Sequence, residues 1–104
     1  MFKIKPSPTF NAVVKVPVPG GETADLAVVF KHKTRDEVED FFSRARAYKG
    51  KDAKLLTEII SGWTGVDAEF SEDSLNSLVQ NYHGAVRAIF DAYLAELSQA
   101  KAGN

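Results

Sequence analysis

Cysteine is absent from the 104 residues of this chain. That excludes disulfides and thiolate metal ligands, and nothing points to an oxidising compartment. Long apolar runs are missing too. No stretch approaches the ~20 residues that span a bilayer. The opening Met1-Phe2-Lys3-Ile4-Lys5-Pro6 has no apolar signal-peptide core. The expectation is a cytoplasmic protein without membrane association. Histidine is scarce: His32 and His83 are the only two. Without cysteine or clustered carboxylates they do not build the usual zinc site. A strong net charge is lacking as well, with 13 Lys and Arg against 14 Asp and Glu.

What is present suits one globular domain over residues 1–104, since 44% of residues are apolar and 26% charged. The charge is segregated. Arg44, Arg46, Lys49, Lys51 and Lys54 crowd one short stretch against Asp52. From Leu55 to Glu96 seven acids (Glu58, Asp67, Glu69, Glu72, Asp73, Asp91 and Glu96) face Arg87 alone. Such asymmetry governs steering and self-association more than fold.

Residues 1–8 read as an extended arm, because Pro6 and Pro8 bias their predecessors away from helix. Phe10, Ala12, Val14 and Val16 then alternate with Asn11, Val13 and Lys15. Beyond Pro17-Val18-Pro19-Gly20-Gly21, Leu26, Val28, Phe30 and His32 alternate with Ala27, Val29 and Lys31. Two alternating runs across a Pro/Gly turn predict an antiparallel hairpin over residues 9–32. A lone ribbon is marginal in water, so it must pack on helices or on another chain's strands.

Thr34-Arg35-Asp36-Glu37 is a capping-box pattern and opens the helical part, residues 34–97. Val38, Phe41, Phe42 and Ala45 line the first helix. Leu55, Leu56, Ile59, Ile60 and Trp63 recur at helical spacing and predict a second, broken by Gly62 and Gly65. Ser71 caps a third with the stripe Leu75, Leu78, Val79 and Tyr82. His83-Gly84 interrupts it, and a fourth runs from Ala85 to Leu97 with Val86, Ile89, Phe90, Tyr93, Leu94 and Leu97 on one side. Residues 98–104 form a polar tail expected to fray. The fold class is α+β: a hairpin followed by a compact set of about four short helices.

No motif carries bond chemistry. Pro19-Gly20-Gly21 lacks the later Gly-Lys-Ser/Thr of a phosphate loop. No serine sits in a nucleophile-elbow pattern. Glu72-Asp73 and Asp67/Glu69 are better read as helix N-terminal charges than as acid/base pairs. The expectation is a protein with no enzymatic activity, no catalytic residues, no cofactor and no metal. The basic stretch around Arg44 has only Tyr48 to stack a base, which speaks against nucleic acid. Trp63, Tyr82 and Tyr93 continue apolar stripes and so serve core packing; the alternative is that an exposed edge anchors a partner.

Three segments carry a family resemblance. They are Pro8-Thr9-Phe10 with Val14 to Gly21, then Phe30-Lys31-His32-Lys33-Thr34-Arg35-Asp36-Glu37, then Gly62-Trp63-Thr64-Gly65-Val66-Asp67-Ala68-Glu69-Phe70-Ser71-Glu72-Asp73 with Leu75, Leu78, Tyr82 and Ala88 to Leu94. Over nearly its whole length the chain resembles the tail assembly chaperones of long-tailed bacteriophages and prophages. It departs from them at His83, where proline is expected. The resemblance implies a non-enzymatic factor in the bacterial host's cytoplasm, absent from the mature virion. Such a factor binds and solubilises the tape-measure protein and helps recruit the major tail-tube protein. Weak homo-oligomerisation is expected through the hairpin edge or the opposed charge patches. The candidate partner contacts are Phe41, Phe42, Trp63, Tyr82, Phe90 and Tyr93, with Arg44, Arg46, Lys49 and Lys51 for charge pairing. The rival readings are a tail-completion or head–tail connector protein, and behind it a small nucleic-acid-binding regulator.

Overall fold

The computed structural model describes residues 1–98. Strands β1 (Thr9–Val18) and β2 (Glu22–Lys31) pair antiparallel, from Thr9 opposite Lys31 to Val18 opposite Glu22. The loop between them is Pro19-Gly20-Gly21, and both glycines adopt left-handed backbone, at φ 102° and 86°. A side chain at either place would be strained, which is why this turn takes glycine. The alternation read from the sequence holds. Val14, Val16, Leu26, Val28 and Phe30 are buried on one face, while Val13, Lys15 and Asp25 on the other are exposed.

Helix α1 (Arg35–Ala47) opens on the capping box. The Thr34 hydroxyl accepts from the Glu37 N–H at 3.2 Å, and the Glu37 carboxylate accepts from the Thr34 N–H at 2.8 Å. The same logic starts α3 (Glu72–Asn81). There the Ser71 hydroxyl accepts from the Ser74 N–H, and Ser74 supplies the return contact in place of an acid. Helix α4 (Ala85–Ser98) follows a break at His83-Gly84 and continues one residue beyond the expected end; the rest of the expected polar tail lies outside the described residues.

The expected helix through Leu55 and Trp63 is corrected by the structure. Only α2 (Asp52–Leu56) is helical, and after a turn Ile60–Thr64 forms a third strand, β3. It pairs antiparallel with β2, giving the sheet order β1-β2-β3, with a register shift between Val29 and Phe30. The physical reason lies in β2. Its second edge needs partners for its backbone N–H and C=O groups, and the Lys31 N–H duly reaches the Ile59 carbonyl at 2.7 Å. Ile59, Ile60, Gly62 and Thr64 are also weak helix formers, and the β-branched ones favour strands. Leu55, Leu56, Ile59 and Ile60 are all buried, so their apolar spacing was real, but its periodicity served two elements instead of one.

The helices pack against the face of the sheet that carries Val14, Val28 and Phe30, and α4 lies along β1. Phe41, Leu75, Ala85, Ile89 and Tyr93 fill the layer between. Phe30 and Tyr93 sit 4.9 Å apart between ring centres, and Phe10 completes that group at 5.6 Å from Phe30. No polar or charged side chain is buried among the described residues.

Candidate functional site

The capping box sets where α1 begins, and packing against the neighbouring elements decides which of its residues turn inward. Phe41 points into the core with no exposed surface; Val38 and Phe42, next to each other on one side of it around the helix, remain half-buried. On α4, Ile89 and Tyr93 fill the core, while Leu97 is half-buried and Leu94 is 42% exposed. Between these flanks runs an open groove with a floor of Val38, Phe42, Leu94 and Leu97. One section of it has a volume of about 520 Å³ and reaches Ile4 and Pro6 of the N-terminal arm. Phe42 is braced from beneath by Phe41 and Phe90, with edge-to-face centroid distances of 5.0 and 5.1 Å.

The rim is mostly cationic. Lys33, Arg35 and Arg46 line the groove, with Glu39 the acid among them. None of the three cations is held in an ion pair among the described residues. Lys33 lies 6.0 Å over the Phe41 ring. Arg44, one turn away, is in a different state. It donates to Asp40 at 2.9 Å and forks onto both oxygens of Glu58, at 3.1 and 2.9 Å. This fork raises the Arg44 pKa and lowers that of Glu58. Arg44 therefore clamps α1 to the segment after α2.

A second depression lies between β1 and α4, over Val13, Pro17, Ala88, Ala92 and Ala95. Its cations are already matched: Lys15 meets Asp25 at 2.6 Å and Arg87 meets Asp91 at 3.3 Å. It offers apolar area without unspent charge.

The residues singled out from sequence thus divide. Phe41 and Tyr93 belong to the core, each with 0% exposure. Phe42 and Arg46 line the groove, and Phe90 supports it. Tyr82 caps α3 with 37% of its surface open. Trp63 sits on β3, where its indole N–H donates to the Ala68 carbonyl at 2.8 Å and its ring meets Phe70 edge-on at 5.2 Å. Lys49 and Lys51 are exposed between α1 and α2. The groove residues not singled out were Val38, Leu94, Leu97, Lys33 and Arg35. A signal for the leucines existed. The apolar stripe of α4 holds Phe90 beside Ile89 and Leu94 beside Tyr93, wider than one buried face needs.

Among the described residues no group of three or more His, Cys, Asp or Glu is placed to hold a metal. No helix among them is long and apolar enough to cross a membrane. What the arrangement offers is apolar contact area and positive charge. The family model for phage tail assembly chaperone matches residues 1–104, the whole chain. No curated protein and no solved structure matches it.

Proposed function

The chain belongs to the phage tail assembly chaperone family, and from that premise we propose that it binds the tape-measure protein, keeps it soluble and helps bring tail-tube subunits to it. The observation that carries this reading is the open groove between α1 and α4. Its floor leaves Leu94 42% exposed in a small chain, and an apolar channel between two helices takes the apolar stripe of a third. Helix α1 has 13 residues, or about 20 Å, which matches about three to four turns of a bound helix. The protein acts by contact, without catalysis or cofactor, in the host cytoplasm. It leaves before the virion is complete, and several copies coat one client, with weak contacts between them.

Co-expression with the tape-measure protein and an affinity pull-down test this. The expected result is a soluble tape-measure protein that co-purifies with the chain. Persistent insolubility of the client, together with recovery of the 104-residue chain in purified particles, would overturn the reading in favour of a tail-completion or connector protein.

A further inference from the structure

We infer that the N-terminal arm and the α1–α4 groove together form a two-walled site for an amphipathic segment whose apolar stripe is flanked by carboxylates. The inference rests on the chaperone reading and adds to it the chemistry of what is bound and the surface that binds it. Three observations carry it.

The first is where apolar surface lies unspent. Met1, Phe2 and Ile4 are exposed, the latter two at 91% each. Together with Leu94 they make up four of the six large apolar residues left open to solvent among the described residues. Ile4 borders the same groove as Leu94. The arm is tied at its base, where the Pro8 carbonyl accepts from the His32 N–H at 2.8 Å, immediately before α1. Ile4, and through it the open apolar arm, therefore stands beside Leu94 of the groove.

The second is charge. The arm carries Lys3 and Lys5, and no acid precedes Glu22 in the chain. The opposite wall carries Lys33, Arg35 and Arg46 against Glu39. All five cations are free of ion pairs among the described residues, whereas Lys15, Arg44 and Arg87 are each matched within the fold. Like charge on both walls opposes closure of the arm onto its own groove. A segment with carboxylates on either side of an apolar stripe satisfies both walls at once.

The third is contrast. The depression between β1 and α4 is more apolar still, but its cations are neutralised internally. Selection for a charged partner falls on the α1–α4 side.

The test uses two fluorescent helical peptides of about 14 residues, matched to the length of α1, with one apolar stripe and either glutamate or lysine flanks. The probe is peptide anisotropy against the full chain at low salt and at about 0.5 M salt. The glutamate peptide should bind about tenfold more tightly than the lysine peptide, and the margin should shrink in salt. An Arg35→Glu/Arg46→Glu variant should invert the preference, a Lys49→Glu/Lys51→Glu variant should keep it, and Phe2→Ser/Ile4→Ser should weaken both peptides. All these positions are exposed and lie clear of the core, with Ile4, Arg35 and Arg46 bordering the groove, and a wild-type circular dichroism spectrum confirms that each variant folds.

Equal binding of the two peptides, no binding, or indifference to the arm substitutions would overturn the inference. So would salt-sensitive self-association that Arg35→Glu/Arg46→Glu abolishes while neither peptide competes. That outcome would assign the groove to the acidic stretch from Asp67 to Asp73 of a second copy. The two readings fail separately. A tape-measure protein that co-purifies equally with wild type and with Arg35→Glu/Arg46→Glu leaves the chaperone role standing and removes this site. A glutamate peptide that binds while the tape-measure protein does not leaves the site and removes the role.

Discussion

The hydroxyl of Tyr93 donates to the main-chain carbonyl of Lys31 at 2.7 Å, across 62 residues of sequence. It joins the middle of α4 to the last residue of β2, just before the chain turns into α1. The ring is fully buried against Phe30 and stacks on Phe10. One side chain thus fixes α4 against the sheet and places Leu94, the next residue, on the floor of the groove.

Tyr93→Phe keeps the ring and removes only the hydrogen bond. The expected loss is about 1 kcal/mol, seen as a fall of several degrees in melting temperature. The pH dependence is specific. Burial first, and the Glu37 charge second, push the Tyr93 pKa up from 10.0 to about 12. The folded-state value is the raised one, so the contribution is complete below about pH 10 and is lost as pH rises toward about 12. Urea unfolding at stepped alkaline pH should show the gap between wild type and Tyr93→Phe closing across that window. A constant gap would show that Tyr93 does not ionise differently on folding.

Much of this architecture was legible in the residues. The alternation of Val14 and Val16 against Val13 and Lys15 fixed the strand faces because the period of a strand is two. Thr34 with Glu37, and Ser71, marked two helix starts because their side chains satisfy backbone N–H groups locally. Strand β3 was not legible. Leu55, Leu56, Ile59 and Ile60 have a helical spacing, and the unpaired second edge of β2 that recruits Ile60 to Thr64 is a property of the fold. The groove was half legible for a related reason. Adjacent helical positions differ by about 100°, so Phe41 and Phe42, or Tyr93 and Leu94, part between core and surface. Which of each pair goes inward depends on where the neighbouring helix lies.

The capping box makes a second prediction. Thr34→Ala removes the acceptor for the Glu37 N–H and should cost about 1 kcal/mol. The Glu37 carboxyl pKa is lowered, chiefly by its bond from the Thr34 N–H. Its contribution is therefore present above the ordinary glutamate range and lost as pH falls through the lowered value. Glu37→Gln keeps an acceptor oxygen without the titration. Denaturation midpoints from about pH 6 down to about pH 3 should fall less steeply for Glu37→Gln than for wild type.

Two glycines test the corrected strand. Gly62 sits in β3 opposite Val29 with open space where a side chain would begin, and Gly65 follows the strand at φ +70°. In a strand, threonine at 62 should be more stabilising than alanine, by about 0.5 kcal/mol. In a helix the order would reverse, since alanine is the best helix former. Gly65→Ala should destabilise by about 1 kcal/mol, because it forces a Cβ into left-handed backbone. Thermal unfolding of the Gly62→Thr, Gly62→Ala and Gly65→Ala variants ranks them.

The sharpest separation of folding from binding lies on α4, between Ile89 and Leu94. Ile89 has no exposed surface and packs at the centre of the core. Ile89→Ala deletes buried volume and should cost about 2–5 kcal/mol, as cavity-forming changes do elsewhere. Leu94 is 42% exposed and lies on the groove floor. Leu94→Asp should shift stability by less than about 1 kcal/mol, as for most surface changes. Under the proposed function it should nevertheless abolish recovery of soluble tape-measure protein, because it would put a desolvated carboxylate against the apolar stripe of a helix bound in the groove. Arg44→Ala is the matching control on α1. It should lower stability through loss of the Asp40 and Glu58 contacts yet leave client recovery intact, since Arg44 is already spent within the fold. Urea midpoints and pull-down yields on the same three preparations decide the matter. If Leu94→Asp retains the client while staying folded, the contact surface lies elsewhere on the chain.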